Sequence, residues 1–230
     1  MSNQLVLKTM RTYISPIGYN PTSVTRVLLS RGLETDDIAV LLRPKTDTND
    51  DRAQEAITDV ERMLNEIQPE VSTAIERIPH DDFPAAVLAC SDIIRAANGT
   101  VIANLSGGAR DIFLPFTVAV LTHASSIDTA LAFSDIDGKV RERELPVLTA
   151  DIPNSTWDTL VLIANVDNSI SIPEITKQTQ HAKSTITRHV NQLDESGVVE
   201  TWQKGKTKHV GLSFAGRLRL RAQHTPDETD

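Results

Sequence analysis

A single cysteine, Cys90, excludes a disulfide framework and any zinc site built from several thiolates. A buried structural thiol is the role that fits it. Long apolar runs are also missing: the longest, Ile112 to Leu121, has ten residues and contains Pro115, far short of a membrane span. The stretch Met1 to Arg11 lacks the basic start, apolar run and small-residue cleavage site of a signal peptide. A soluble, cytoplasmic chain with no membrane partner is expected. The six histidines (His80, His123, His181, His189, His209, His224) show no ligand spacing, so no metal or cofactor is expected. Basic residues are the minority, 23 against 31 acidic, and the net charge of -8 taken whole speaks against nucleic acid. What is present is ordinary globular composition, with 40% apolar and 23% charged residues over 230 positions. That length suits one large domain or, better, two small ones.

The charge is unevenly spread. Residues 1–150 carry a net -7 and residues 151–230 only -1. Between Lys177 and Arg221, nine basic side chains face three acidic ones. A local excess of six positive charges inside an acidic chain suggests a polyanion-facing module joined to something else. Pro146, Asp151, Pro153 and Asn154 read as linker, which predicts domains over 1–148 and 149–230.

In the first domain, short apolar runs alternate with amphipathic stretches. Arg11–Ser15, Ile38–Leu42, Val71–Ile78, Thr100–Leu105, Thr129–Phe133 and Val140–Leu145 read as strands. Helices are predicted after Pro21 as far as Gly32, over Asp51–Ile67, over Pro84–Ala97 and over Asp111–Ser125. Asp81 and Asp82 read as the start of the third helix, not a catalytic dyad. Pro115 is expected to delay or kink the fourth. The alternation predicts an α/β fold with a parallel sheet, whose ligands bind beyond the carboxyl ends of the strands. Two loops stand there: Pro16–Asn20, and Leu105–Asp111 with Ser106, Gly107, Gly108, Ala109 and Arg110. Adjacent glycines let backbone approach a ligand, the following helix offers free N–H groups to an anion, Ser106 offers a hydroxyl and Arg110 a guanidinium. The third glycine of a dinucleotide fingerprint and the Lys-Ser/Thr pair of a P-loop are both missing, so NAD and ATP are poor candidates.

The second domain reads helix, helix, turn, helix, hairpin, helix. Trp157, Leu160, Val161 and Ala164 stripe the first helix, with Asn154 or Ser155 as its expected cap. Ser171 and Glu174 form a capping box for a short helix to about Gln178. Lys183–Glu195 buries Ile186, Val190 and Leu193 on one face and stops at Gly197. Trp202 to Lys208 makes a hairpin about Gly205, and Phe214–Ala222 closes the domain. This is the order of a winged helix-turn-helix. Lys183, Ser184, Thr185, Thr187, Arg188 and Asn191 are expected at the major groove of double-stranded DNA, with Lys204, Lys206 and Lys208 on the wing.

Together, the stretch Asn104-Leu105-Ser106-Gly107-Gly108-Ala109-Arg110, the loop Pro16-Ile17-Gly18-Tyr19-Asn20 and the C-terminal winged helix resemble the archaeal CRISPR-associated Rossmann-fold (CARF) transcriptional regulators. The resemblance spans about Arg11 to Arg221; the ten residues before Arg11 have no counterpart in it. The acid-rich, lysine-poor composition is similar to that of salt-adapted archaeal proteins. The resemblance implies a Rossmann-like sensor domain followed by a mainly α winged helix, a homodimer, and a cyclic oligoadenylate ligand, with cyclic tetra-adenylate foremost. It places Ser106, Gly107, Gly108, Ala109 and Arg110 on the cyclic phosphodiester, with Gly18, Tyr19 and Asn20 facing them. The function so implied is a ligand-responsive, DNA-binding transcriptional regulator of CRISPR antiviral defence. Two rivals stand beside it. One is a metal-independent ring nuclease that cleaves its ligand, for which Ser106, Arg110 and Tyr19 are near but no general base is evident. The other is a winged-helix regulator with a different small ligand or none.

Overall fold

The computed structural model describes residues 10–46, 51–166 and 168–223; His224 lies outside them. Contacts divide the chain into two compact units, Met1–Glu144 and Leu145–Asp230. No helix among the described residues is long and apolar enough to cross a membrane.

The first unit runs β1 (Arg11–Pro16), α1 (Thr22–Ser30), β2 (Ile38–Pro44), α2 (Asp51–Ile67), β3 (Ser72–Ile78), α3 (Phe83–Ala96), β4 (Thr100–Asn104), α4 (Arg110–Thr122), β5 (Thr129–Phe133) and β6 (Val140–Arg143). Its sheet has the order β3-β2-β1-β4-β5-β6. The strand order reverses between β1 and β4, which pair in parallel with Tyr13 opposite Ile102. That reversal opens a crevice at their carboxyl ends, the position where doubly wound sheets bind ligands. Both loops singled out in the sequence leave from these two strands.

The central strands are apolar because helices cover both faces. Tyr13, Ile14, Leu41, Leu42, Val101 and Ala103 are all buried. Val24, Val27 and Leu28 of α1 and Ile57, Val60 and Leu64 of α2 meet one face in a single cluster with Tyr13 and Leu41. Each such side chain contributes about 1.5–3 kcal/mol by leaving water. One expectation needs correction. The sheet is not wholly parallel, since β6 runs antiparallel to β5, with Leu131 opposite Glu142. The connection over 134–139 is too short for a crossover helix, so the chain can only turn back as a hairpin. Nor is α4 delayed by Pro115: the helix starts at Arg110 and runs through the buried proline. As read from the sequence, Asp82 caps α3, its carboxylate accepting from Ala85 N at 3.0 Å.

The second unit runs α5 (Trp157–Ala164), β7 (Ile170–Ser171), α6 (Ile172–Gln178), α7 (Lys183–Glu195), β8 (Val199–Lys204), β9 (Thr207–Leu212) and α8 (Phe214–Gln223). The strands form an antiparallel sheet in the order β7-β9-β8. Leu160, Ile163, Ile175, Ile186, Val190, Leu193 and Val210 make its core. The Ser171–Glu174 capping box is complete in both directions. At the end of α7, Gly197 N bonds to Asp194 O at 2.9 Å and Val198 N to Leu193 O at 3.1 Å, the paired bonds of a Schellman stop. Neither Asn154 nor Ser155 caps α5; they form a 3₁₀ turn, and Thr156 precedes the helix without a side-chain cap.

Candidate functional site

A cavity of about 320 Å³ opens at the carboxyl ends of β1, β4 and β5, lined by Gly18, Tyr19, Asn20, Thr22, Ser23, Ser106, Gly107, Gly108, Phe133 and Asp135. Six of the eight expected ligand residues are among them. Ala109 and Arg110 are not: Ala109 precedes α4 in extended backbone and Arg110, exposed, is the helix's first residue.

A buried polar network sets the shape of this cavity. Ser106 donates its hydroxyl proton to the side-chain carbonyl of the fully buried Asn104. The Asn104 amide donates to Ser23 O at 3.3 Å, and Phe133 N donates to the Ser106 hydroxyl oxygen at 3.1 Å. The start of α1, the end of β4 and the end of β5 are thereby tied together. In this arrangement the Ser106 hydroxyl is engaged by Asn104 and Phe133 at the inner wall of the cavity.

The glycine pair also has a packing reason. Gly107 and Gly108 have φ of +80° and +77°, backbone that disfavours any Cβ. A Cβ on Gly107 would lie 2.2 Å from Ser23 Oγ, and one on Gly108 would lie 2.5 Å from Pro16 Cβ. The glycines let the β4 loop close onto the β1 loop. Beyond them, the N–H groups of Arg110 and Asp111 precede the first internal bonds of α4, from Ile112 N and Phe113 N to Ala109 O at 3.0 and 2.8 Å. They offer an anion the positive end of the helix.

On the first loop, Asn20 Oδ1 accepts from Thr22 N at 2.9 Å and orders the entry to α1. Tyr19 is 58% exposed, with the Arg52 guanidinium 5.1 Å above its ring. Sequence reasoning missed Thr22, Ser23, Phe133, Asp135 and Arg52. No local sequence signal marks Phe133 and Asp135, because their place beside the β4 loop is set by the pairing of β5 with β4. Asp135 is the one charged side chain among the described lining residues.

In the second unit, α7 presents a continuous polar face. Ser184, Arg188 and Asn191 are exposed at helical spacing, with Lys183 beside them. Thr185 and Thr187 are half-buried, and Thr187 donates its hydroxyl back to Lys183 O at 2.8 Å, leaving it only as an acceptor. The opposite face is core and includes His189, whose Nδ1 lies 2.9 Å from Thr159 Oγ1. Burial, with Arg188 and His181 nearby, lowers the His189 pKa. Lys204 and Lys206 stand exposed at the hairpin tip, while Lys208, half-buried on β9, reaches Asn191. All nine expected DNA contacts lie on α7 or the hairpin.

Residues 11–139 match the model of the Csa3 CRISPR-associated Rossmann-like domain. Residues 150–202 match that of the MarR family. No curated protein matches. Reduced HlyU from Vibrio cholerae N16961 is a similar solved structure, 20% identical with a TM-score of 0.27, over 32% of this chain and 80% of that one. Csm6 of Enterococcus italicus, bound to cyclic hexa-2′-fluoro-hexa-dAMP, is 13% identical with a TM-score of 0.48, over 68% and 45%. Protein VC1899 from Vibrio cholerae is 12% identical with a TM-score of 0.43, over 93% and 64%. A domain match covering more than half the chain decides the assignment: the protein belongs to the Csa3 CRISPR-associated Rossmann-like family and carries a MarR-family winged helix after that domain.

Proposed function

We propose that this protein is a homodimeric, ligand-gated DNA-binding regulator linked to CRISPR defence. Its Rossmann-like unit senses cyclic oligoadenylate, with cyclic tetra-adenylate the expected ring, and its winged helix binds double-stranded DNA. The observation that carries this reading is the convergence of the Gly18–Asn20 and Ser106–Gly108 loops on one cavity at the strand-order reversal, with Gly108 two residues before the start of α4. Such a cavity suits a phosphate and its neighbouring nucleoside. At about 320 Å³ it sits at the low end of small-molecule sites. A ring of several nucleotides exceeds it, so a twofold-related copy supplies the rest of the site. The polar face of α7 and the lysine-bearing hairpin supply the DNA contacts.

Calorimetric titration of the full chain with cyclic tri-, tetra- and hexa-adenylate tests the sensor, and sedimentation tests the dimer. Binding of one ring per two chains is expected; heat from none of them overturns the ligand assignment. Mobility shift on the protein's own promoter region tests the second half. Arg188→Ala is expected to weaken operator binding at matched salt, and unchanged binding removes α7 as the recognition helix.

A further inference from the structure

Two aspartates stand two residues apart on the hairpin between β5 and β6, and they have opposite surroundings. Asp137 is used up by the loop: its carboxylate holds both arms of Arg141, with Nη1 to Oδ1 at 3.0 Å, and accepts from Lys139 N at 3.3 Å. Ser134 N to Lys139 O at 2.9 Å and Gly138 N to Ser134 O at 2.8 Å complete a fixed turn. Asp135, exposed on that turn, lines the cavity, and its carboxylate has no hydrogen bond or ion pair among the described residues. No basic side chain lines the cavity beside it among the described residues.

We propose that Asp135 determines which nucleotide this site accepts. An ionised carboxylate only accepts hydrogen bonds and repels phosphate. The ligand must therefore place its phosphate toward the N–H groups at the start of α4 and a donor toward Asp135. In an adenylate ring that donor is the adenine 6-amino group or the ribose 2′-hydroxyl. Phe133, two residues earlier and also lining the cavity, supplies an apolar surface for the same nucleoside. The inference rests on the cyclic oligoadenylate reading given above.

The test is calorimetry on the full chain with cyclic tetra-adenylate, its 2′-deoxy analogue and its inosine analogue. In the wild type one analogue is expected to bind about 10- to 100-fold more weakly, the loss of one charge-assisted hydrogen bond. Asp135→Ala should bind the parent ring more weakly by a similar factor and no longer distinguish it from that analogue. Its melting temperature should be unchanged, since no bond in the fold is removed. If Asp135→Ala discriminates both analogues as the wild type does, or binds the parent ring more tightly, Asp135 is not the selector. If the wild type binds no cyclic oligoadenylate at all, the reading of the sensor itself fails.

Discussion

Lys208 donates its ammonium to the side-chain carbonyl of Asn191 across 3.0 Å, joining the return strand of the wing to the polar face of α7. Helix and wing are thereby tied together at this point, while Lys206 stands apart at the exposed turn.

Lys206→Ala and Lys208→Ala are therefore expected to differ. Lys206→Ala should reduce the slope of log affinity against log salt by about 0.9, one phosphate contact, without altering sequence preference. Lys208→Ala should also release Asn191, so that Lys208→Ala and Asn191→Ala are non-additive in a double-mutant cycle. Fluorescence anisotropy with operator DNA over a salt series measures both. Additive losses would mean that the bond does not persist on DNA.

Ser106→Ala should destabilise the Rossmann-like unit. It leaves the buried Asn104 carbonyl without its donor and Phe133 N without its acceptor. Leaving such groups unsatisfied costs about 1–3 kcal/mol each. For a chain of this size about 2–4 °C of melting temperature goes with each kcal/mol. A thermal melt of the variant reads this directly, and an unchanged midpoint would remove Ser106 from the stabilising network.

Gly108→Ala and Gly138→Ala share the left-handed backbone but not the surroundings. Gly138 has φ +67° and open space where a Cβ would stand. Its substitution should cost only the backbone term, about 1–2 kcal/mol. At Gly108 the new Cβ meets Pro16 Cβ at 2.5 Å, which adds an overpacking cost of about 1–3 kcal/mol. Urea denaturation should rank Gly108→Ala clearly the worse. Ligand affinity should fall with it, because Pro16 begins the facing loop.

The parts legible in the sequence were those set by local periodicity. The bounds of α2 and α7 follow from their apolar stripes, and the Ser171–Glu174 cap from its spacing. Both cavity loops were legible too, because glycine and proline mark a strand end wherever it lies. What was not legible depended on strands meeting across the sheet. Phe133 and Asp135 reach the cavity only because β5 pairs with β4, with Leu131 opposite Asn104. The direction of β6 is likewise a long-range property: Val140–Leu145 was legible as a strand, but not that it turns back antiparallel to β5. Ser171 was legible as a helix cap, but its pairing, with Ile170, to His209 and Val210 as the third strand of the wing sheet was not.

His189 is expected to give the winged helix a pH dependence that one substitution removes. Its folded pKa lies below the ordinary 6.5, through burial first and the nearby Arg188 and His181 next. Between the folded pKa and 6.5 the unfolded chain binds a proton that the folded chain does not, so stability rises with pH across that window. The contribution is present above pH 6.5 and lost as pH falls through the folded value. The neutral ring is held against Thr159 Oγ1, and protonation would place a charge in the core between α5 and α7. Wild-type melting temperature is expected to fall on acidification from pH 7 to 5, and operator affinity with it. His189→Gln should flatten that part of the profile, whatever its cost at pH 7. An identical fall in both proteins would place the proton elsewhere.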